Sequence, residues 1–302
     1  MSKVWIALII LVIIGFFSLT FATFMAIFLN GVSPPGNIAV IPVSGIIMGE
    51  KSGPFSSGIV SSKTVVKLIK KADKKSEVKA LIIEINSPGG SAVASAEIAN
   101  AITKVKKPVV AVIREAGASG GYWIASATDK IYANELSITG SIGVISSYLE
   151  FADFIDRYNI TYRRLVAGEN KDIGNPFAKL TQKKEELLQI KLDKIHAIFI
   201  KTVAKNRNLS EEKVKEIADG FFMLGIEALE IGLIDEIGDR DSAIKYLEEK
   251  LNITAKTAEY KKDKTLGEIL MGASSGFSYS IGQGIGDSIK STFTENSLVP
   301  FT

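Results

Sequence analysis

Two apolar runs, Ala80–Ile85 and Val109–Ile113, each leave into a glycine-bearing turn that opens a helical segment, and this alternation limits the fold more than any other feature of the chain. The first run is followed by Asn86-Ser87-Pro88-Gly89-Gly90 and a helical pattern over Ala92–Val105. The second is followed by the turn Glu115–Gly121 and a helix over Tyr122–Ala127. Strands that are apolar on both faces belong in a parallel sheet covered by helices on both sides, so the fold class is α/β. Shorter signals extend the series. Ile38–Val43 and Lys130–Ala133 read as strands, and Ser62–Lys74 as a helix with Val65, Leu68, Ile69 and Ala72 on one face. Ile142–Ile145 is apolar, Phe151–Tyr158 helical and Thr161–Val166 extended. From Thr181 to Lys205 the residues Leu188, Leu192, Ile195, Phe199 and Val203 recur at helical spacing. Helices after Ser210, over Gly225–Ile231 and over Asp241–Leu251 close the body.

The amino terminus has a different character. Val4 to Leu29 contains no charged residue, and a helix of that length reaches about 39 Å, more than a hydrocarbon core of roughly 30 Å. A cleaved signal peptide has a shorter apolar core. The expectation is one transmembrane helix over residues 4–29, a cytoplasmic end over 1–3 and a linker over 30–36. Lys3 precedes the span and no Lys or Arg follows it until Lys51, which places the amino terminus inside and the body outside. The segment 252–302 reads as a tail. Its stretch Ile269–Gly286 is uncharged and rich in Ser and Gly, consistent with a flexible or membrane-interfacial segment.

Composition removes several chemistries. With 0 Cys there is no disulfide framework, cysteine nucleophile or thiolate metal site, and with 1 His no histidine metal triad. Lys+Arg 36 against Asp+Glu 33 leaves a net charge of +3, without the basic footprint of a nucleic-acid binder.

The turn Gly117-Ala118-Ser119-Gly120-Gly121 fits the pattern in which a sharp strand-to-helix turn exposes a serine above a sheet. A hydrolase triad would then need His196, which sits inside a long helix, where a histidine is more often packed or solvated than catalytic. A neutral lysine is the other base that activates a serine. Gly168–Phe177 carries Lys171 in a loop, although position alone does not distinguish it from a solvated lysine. Asn86–Gly90 offers backbone N–H groups to a substrate strand, and Ser137–Val144 carries Ser141, a turn serine able to bond a lysine amine.

Together these four segments, in this order and spacing, resemble the signal peptide peptidase A family, membrane-bound Ser-Lys proteases of the Clp protease/crotonase superfamily. The resemblance runs from about Ile38 to about Leu251 and takes in Gly225–Asp235. It implies a repeated ββα core with a helical C-terminal extension. It assigns Ser119 as nucleophile, Lys171 as general base and Ser141 as the serine that orients the lysine. Gly89, Gly90 and the N–H of Gly120 fall at the oxyanion and substrate-binding positions. It further implies peptide substrates such as remnant signal peptides or membrane-protein fragments, contact with membrane lipid, a homo-oligomer whose neighbouring subunits complete each site, and no metal or cofactor. Two other readings stand beside it: a nodulation-efficiency-type membrane protease acting on stomatin-like proteins, and a non-catalytic membrane scaffold of crotonase-like fold.

Overall fold

The computed structural model describes residues 3–30, 35–50 and 58–261. It divides into two units, residues 1–32 with 262–302, and residues 33–261. In the first unit, α1 (Lys3–Asn30) is one helix of 28 residues. Its side chains are described at Trp5, Ile6 and Ile9–Phe21, and over the described residues no helix is long and apolar enough to cross a membrane. The membrane span expected over Val4–Leu29 therefore has no support beyond the sequence. The Ser- and Gly-rich stretch Ile269–Gly286 lies outside the described residues.

The second unit runs in chain order β1 (Ile38–Ser44), β2 (Ile46–Met48), β3 (Ile59–Ser61), α2 (Ser62–Asp73), β4 (Ala80–Ser87), α3 (Ala92–Ile102) and β5 (Val109–Ala118). It continues with α4 (Gly120–Ser126), β6 (Lys130–Ala133), β7 (Ile138–Gly140), α5 (Ala152–Arg157), α6 (Gln182–Arg207) and α7 (Glu211–Ile217). It ends with β8 (Phe222–Leu224), α8 (Gly225–Glu230), β9 (Glu236–Ile237), α9 (Arg240–Leu251) and β10 (Thr257–Glu259). The main sheet has the order β10-β1-β4-β5-β6-β9, with β7 also paired to β5 and β8 to β7. Every pairing in it is parallel except β7 with β8.

Alternation along the strands explains why both faces are covered. Leu81, Ile83 and Ile85 join one core with Val65 and Ile69 of α2, Ile98 of α3 and Phe199 of α6. Ala80 and Ile82 join a second core with Tyr132, Ala243 and Leu247, beneath α9. Successive side chains point to opposite faces, so a strand apolar at consecutive positions needs a cover on each. Glu84, the charged residue of β4, pairs at 3.6 Å with Arg114 and at 3.6 Å with Arg240.

Three expectations are corrected. The body does not end at Leu251, because β10 pairs with β1 and extends it to residue 261. The strand from Val109 does not stop at Ile113. It runs to Ala118, its last residues paired with β7. Thr161–Val166 is not a strand.

Candidate active site

The carboxyl ends of β4 and β5 build the site. Their register shifts between Ile85 and Ser87, so the ladder resumes at Ser87 opposite Gly117. The Asn86 side chain fills the gap by accepting from the Ala116 N–H at 3.2 Å. Such a bulge bends the strand and re-aims the residues that follow.

Ser119 occupies the one position between β5 and α4, with φ 51° and ψ −120°. That conformation is costly for a residue with a Cβ and recurs where geometry serves function. From Gly117 to Ser126 every residue is buried except Ser119. Its N–H donates to the Gly140 carbonyl at 2.8 Å, and its own carbonyl accepts from the Trp123 N–H at 2.9 Å. The turn is therefore held at both ends while the side chain faces open space.

Backbone packs tightly around this serine. A Cβ on Gly89 would lie 2.8 Å from the Gly120 nitrogen and 2.9 Å from the Ser119 Cβ. A Cβ on Gly120 would lie 2.3 Å from Ser95 Oγ, while Gly90 N is 3.3 Å from that same point. The two neighbouring glycine amides differ in their partners. The Gly89 N–H donates to Ser87 Oγ at 3.1 Å. Gly90 pairs with Ile47 through its flanking residues, with Ile47 N–H donating to the Gly89 carbonyl at 2.9 Å and Ser91 N–H to the Ile47 carbonyl at 2.8 Å. Among the described residues the N–H groups of Gly90 and Gly120 thus have no acceptor, and both line the cavity that holds Ser119.

That cavity has a volume of about 720 Å³. Its polar residues include Ser119, Ser141 and His196, and its apolar wall is Trp123, Val144, Ile145, Leu192, Ile195 and Phe199. Trp123 and Phe199 stack with ring centroids 4.5 Å apart. Ser141 also has positive φ, 49°, and donates its hydroxyl to the Gly220 carbonyl at 2.9 Å. His196 donates from Nε2 to the Ile142 carbonyl at 3.0 Å, and so holds the segment after Ser141. Sequence reasoning set this histidine aside as a base. It missed that α6 carries it to the cavity wall, a placement that its three-residue spacing to Phe199 and four-residue spacing to Leu192 would have signalled.

Lys171 does not line this cavity. It is exposed, in the turn where its N–H donates to the Gly168 carbonyl at 3.0 Å. The flanking acids are engaged elsewhere. Asp172 accepts from Arg164 Nε at 2.5 Å and Nη2 at 2.8 Å, with Lys184 at 3.6 Å, and Glu169 pairs with Lys183 at 3.3 Å. The hydrogen bond from Arg164 holds the Asp172 carboxyl down at about 2. The surrounding arm closes on itself: the Phe151 N–H donates to the Pro176 carbonyl at 2.6 Å, and Asn175 Nδ2 donates to the Tyr162 hydroxyl at 2.6 Å. No residue from 143 to 198 is buried, and Leu165, Ile145 and Leu149 are 97%, 90% and 72% exposed.

Comparison with known proteins bears on this geometry. The sequence model of Peptidase family S49 matches residues 101–254, and that of Clp protease matches residues 56–137. The chain is 35% identical over 233 residues to the protein named "Putative signal peptide peptidase SppA" of Enterococcus faecium, covering 76% of this chain and 68% of that one. It is 34% identical over 229 residues to Protease 4 of Haemophilus influenzae, covering 74% of this chain and 36% of the longer relative. It is 32% identical over 222 residues to the chloroplastic serine protease SPPA of Arabidopsis thaliana, covering 72% of this chain and 32% of that one. The family match and the extent of these similarities show that the chain belongs to peptidase family S49 as a serine peptidase.

Proposed function

We propose that the protein is a membrane-anchored endopeptidase in which Ser119 is the nucleophile and Lys171 of a second copy is the general base. The observation that carries this reading is the half-buried, strained Ser119, which lines a cavity beside two acceptor-free amides. The exposure of Lys171 on an arm with large unburied apolar side chains supports a second copy as the source of the base. Removing such apolar surface from water is worth roughly 25 cal/mol per Å².

In this mechanism the neutral amine of Lys171 takes the Ser119 hydroxyl proton as Oγ attacks the peptide carbonyl. The N–H groups of Gly90 and Gly120 donate to the oxyanion that forms, and Gly89 keeps the loop against Ser119. Removing one such donor typically lowers the rate about 10²–10³-fold. The ammonium then passes its proton to the leaving amine, and the peptide C–N bond breaks. Water then attacks the acyl carbonyl, losing a proton to the same amine, and that proton returns to Ser119 Oγ as the acyl–Oγ bond breaks. Ser141 orients the lysine once the second copy is in place. The apolar cavity wall favours extended peptides with a small or apolar residue before the cleaved bond, as in remnant signal peptides. The uncharged run Val4–Leu29 within α1 supports a single anchor, with the amino terminus cytoplasmic and the body on the outer side.

One experiment separates this reading from a site complete within one chain. Ser119→Ala and Lys171→Ala are each expected to be inactive. Mixing the two under conditions that exchange subunits should restore peptidase activity, because some sites then combine an intact Ser119 with an intact Lys171. No recovery on mixing, with exchange verified, would place both residues on one chain. An active-site phosphonate should label Ser119 and no other serine.

A further inference from the structure

The charge of the chain is unevenly distributed. Residues 63–107 contain ten lysines and four carboxylates, a net of +6, while the whole chain carries +3, so the remainder sums to −3. Such asymmetry points to an interaction surface once the lysines are shown to converge.

They do converge, along the outer side of α2 and α3 and at the amino ends of β4 and β5. In α2, Lys67, Lys70, Lys71 and Lys74 follow helical spacing on the side opposite the buried Val65, Ile69 and Ala72. With Lys104 from the end of α3 they line a groove of about 1100 Å³. The acids beside the groove, Glu50 and Glu97, are engaged by Lys63 and by the Ser62 hydroxyl. Lys106 and Lys107 precede β5, and Lys79 precedes β4, so they sit at the amino ends of those strands. Lys107 Nζ donates to the carbonyls of Ala72 and Lys75, which ties this rim to the end of α2. Asp73 accepts from the Lys106 N–H at 3.4 Å. None of Lys70, Lys74, Lys79, Lys104 or Lys106 has a carboxylate within 4 Å among the described residues.

The folded body begins beside Lys79. The Asn37 carbonyl accepts from the Lys79 N–H at 2.7 Å, and the Asn37 N–H donates to the carbonyl of Lys256 at 2.8 Å. Lys79 and the lysines before β5 thus lie toward the amino ends of β4 and β5, on the side of the sheet where β1 begins. Lysines within a Debye length of an anionic membrane surface are attracted to it whichever leaflet carries the charge. Ser119 lies at the other end of β5, about 30 Å away at 3.3 Å per residue, so lipid on the rim leaves the cavity open.

We propose that this lysine rim is a docking surface for anionic lipid headgroups. The proposal rests on the reading of α1 as a membrane anchor, and its test tells the two apart. Full-length protein is reconstituted into vesicles of phosphatidylcholine, alone or with phosphatidylglycerol, and treated with an amine-acylating reagent. Modification of each lysine is read by mass spectrometry. Acylation of Lys70, Lys74, Lys79 and Lys106 should fall about threefold or more with phosphatidylglycerol and recover at high salt, because the attraction is screened. Lys194 and Lys201, exposed on α6, should not change. The triple variant Lys70→Gln/Lys74→Gln/Lys106→Gln should lose the protection of Lys79 while keeping full peptidase activity in detergent. Equal acylation in the two vesicles overturns the proposal. So does protection by duplex DNA or polyglutamate added to neutral vesicles, if phosphatidylglycerol gives none. Alkaline washing reports on the anchor separately. Retention without lipid-dependent protection removes the rim and keeps the anchor, whereas release together with such protection removes the anchor and keeps the rim.

Discussion

Arg164 grips both carboxylate oxygens of Asp172, at 2.5 and 2.8 Å, one residue after the lysine assigned as base. This pairing keeps a negative charge turned away from Lys171. Asp172→Asn should therefore retain peptidase activity within about threefold, since the carboxylate it removes is engaged by Arg164. Arg164→Ala should instead release the carboxylate. A freed anion beside a general base favours the protonated base, so the activity of Arg164→Ala should fall. The Asp172 carboxyl is depressed to about 2, so its contribution to stability is present above the ordinary carboxylate range and is lost as pH falls toward that value. Unchanged activity in Arg164→Ala would show that Asp172 does not reach the base. Lys171→Arg should be inactive at all pH values, because guanidinium keeps its proton.

The contact between Gly120 and Ser95 gives a second test. Gly120→Ala places a methyl group 2.3 Å from Ser95 Oγ. It should lower kcat by about 10²-fold by displacing an oxyanion donor. Overpacking should also cost about 1–3 kcal/mol of stability. Adding Ser95→Ala should recover part of the thermal stability. If the double variant melts no higher than Gly120→Ala, the clash is relieved by another route.

Specificity should follow the apolar cavity wall. Leu192 of α6 lines it. Leu192→Glu should lower kcat/KM for peptides with an apolar residue before the cleaved bond by about tenfold or more, the scale on which hydrophobic pockets discriminate. Peptides with lysine at that position should improve. A specificity profile that does not move would place the substrate side chain elsewhere.

Stability of the site's scaffold depends on Arg207. Its side chain is 8% exposed and bonds Asp235 at 2.7 and 3.0 Å and the Gly232 carbonyl at 3.2 Å. Asp235 also accepts from the Ile131 N–H at 2.7 Å, joining α6 to β6. Arg207→Ala should destabilise the fold by about 3 kcal/mol, since it leaves a partly buried carboxylate without its cation. Chemical denaturation would measure this, and a loss below 1 kcal/mol would mean water replaces the guanidinium.

The parts of this fold legible in the sequence are those with strong local patterns. Ala80–Ile85 and Val109–Ile113 stand out because apolar residues at consecutive positions must be covered twice. β8, β9 and β10 do not, because strands of two or three residues are defined by their partners rather than their own period. Ile142–Ile145 is apolar throughout, yet its two ends part: Ile142 is fully buried in the core and Ile145 is almost fully exposed. The glycine loop was placed correctly in the chain. Which of its amides is free depends on the Ser87 hydroxyl reaching the Gly89 N–H, just past the point where β4 and β5 shift register. Ser119 could be picked from its turn alone, since strand, serine and helix are contiguous. The separation of Lys171 from the cavity could not, because it depends on how a self-closed arm leaves the body.

The backbone of Ser119 has one more consequence. At φ 51° and ψ −120° it holds a shape that glycine adopts with little penalty and serine does not. Ser119→Gly should therefore yield an inert protein that outlasts the working one on heating. Left to drift under selection for durability alone, this position would slide toward glycine. Only continued need for turnover keeps an oxygen there, so within lineages of this chain the loss of that oxygen is the first trace expected of a copy that has stopped cutting peptides and been kept for its shape.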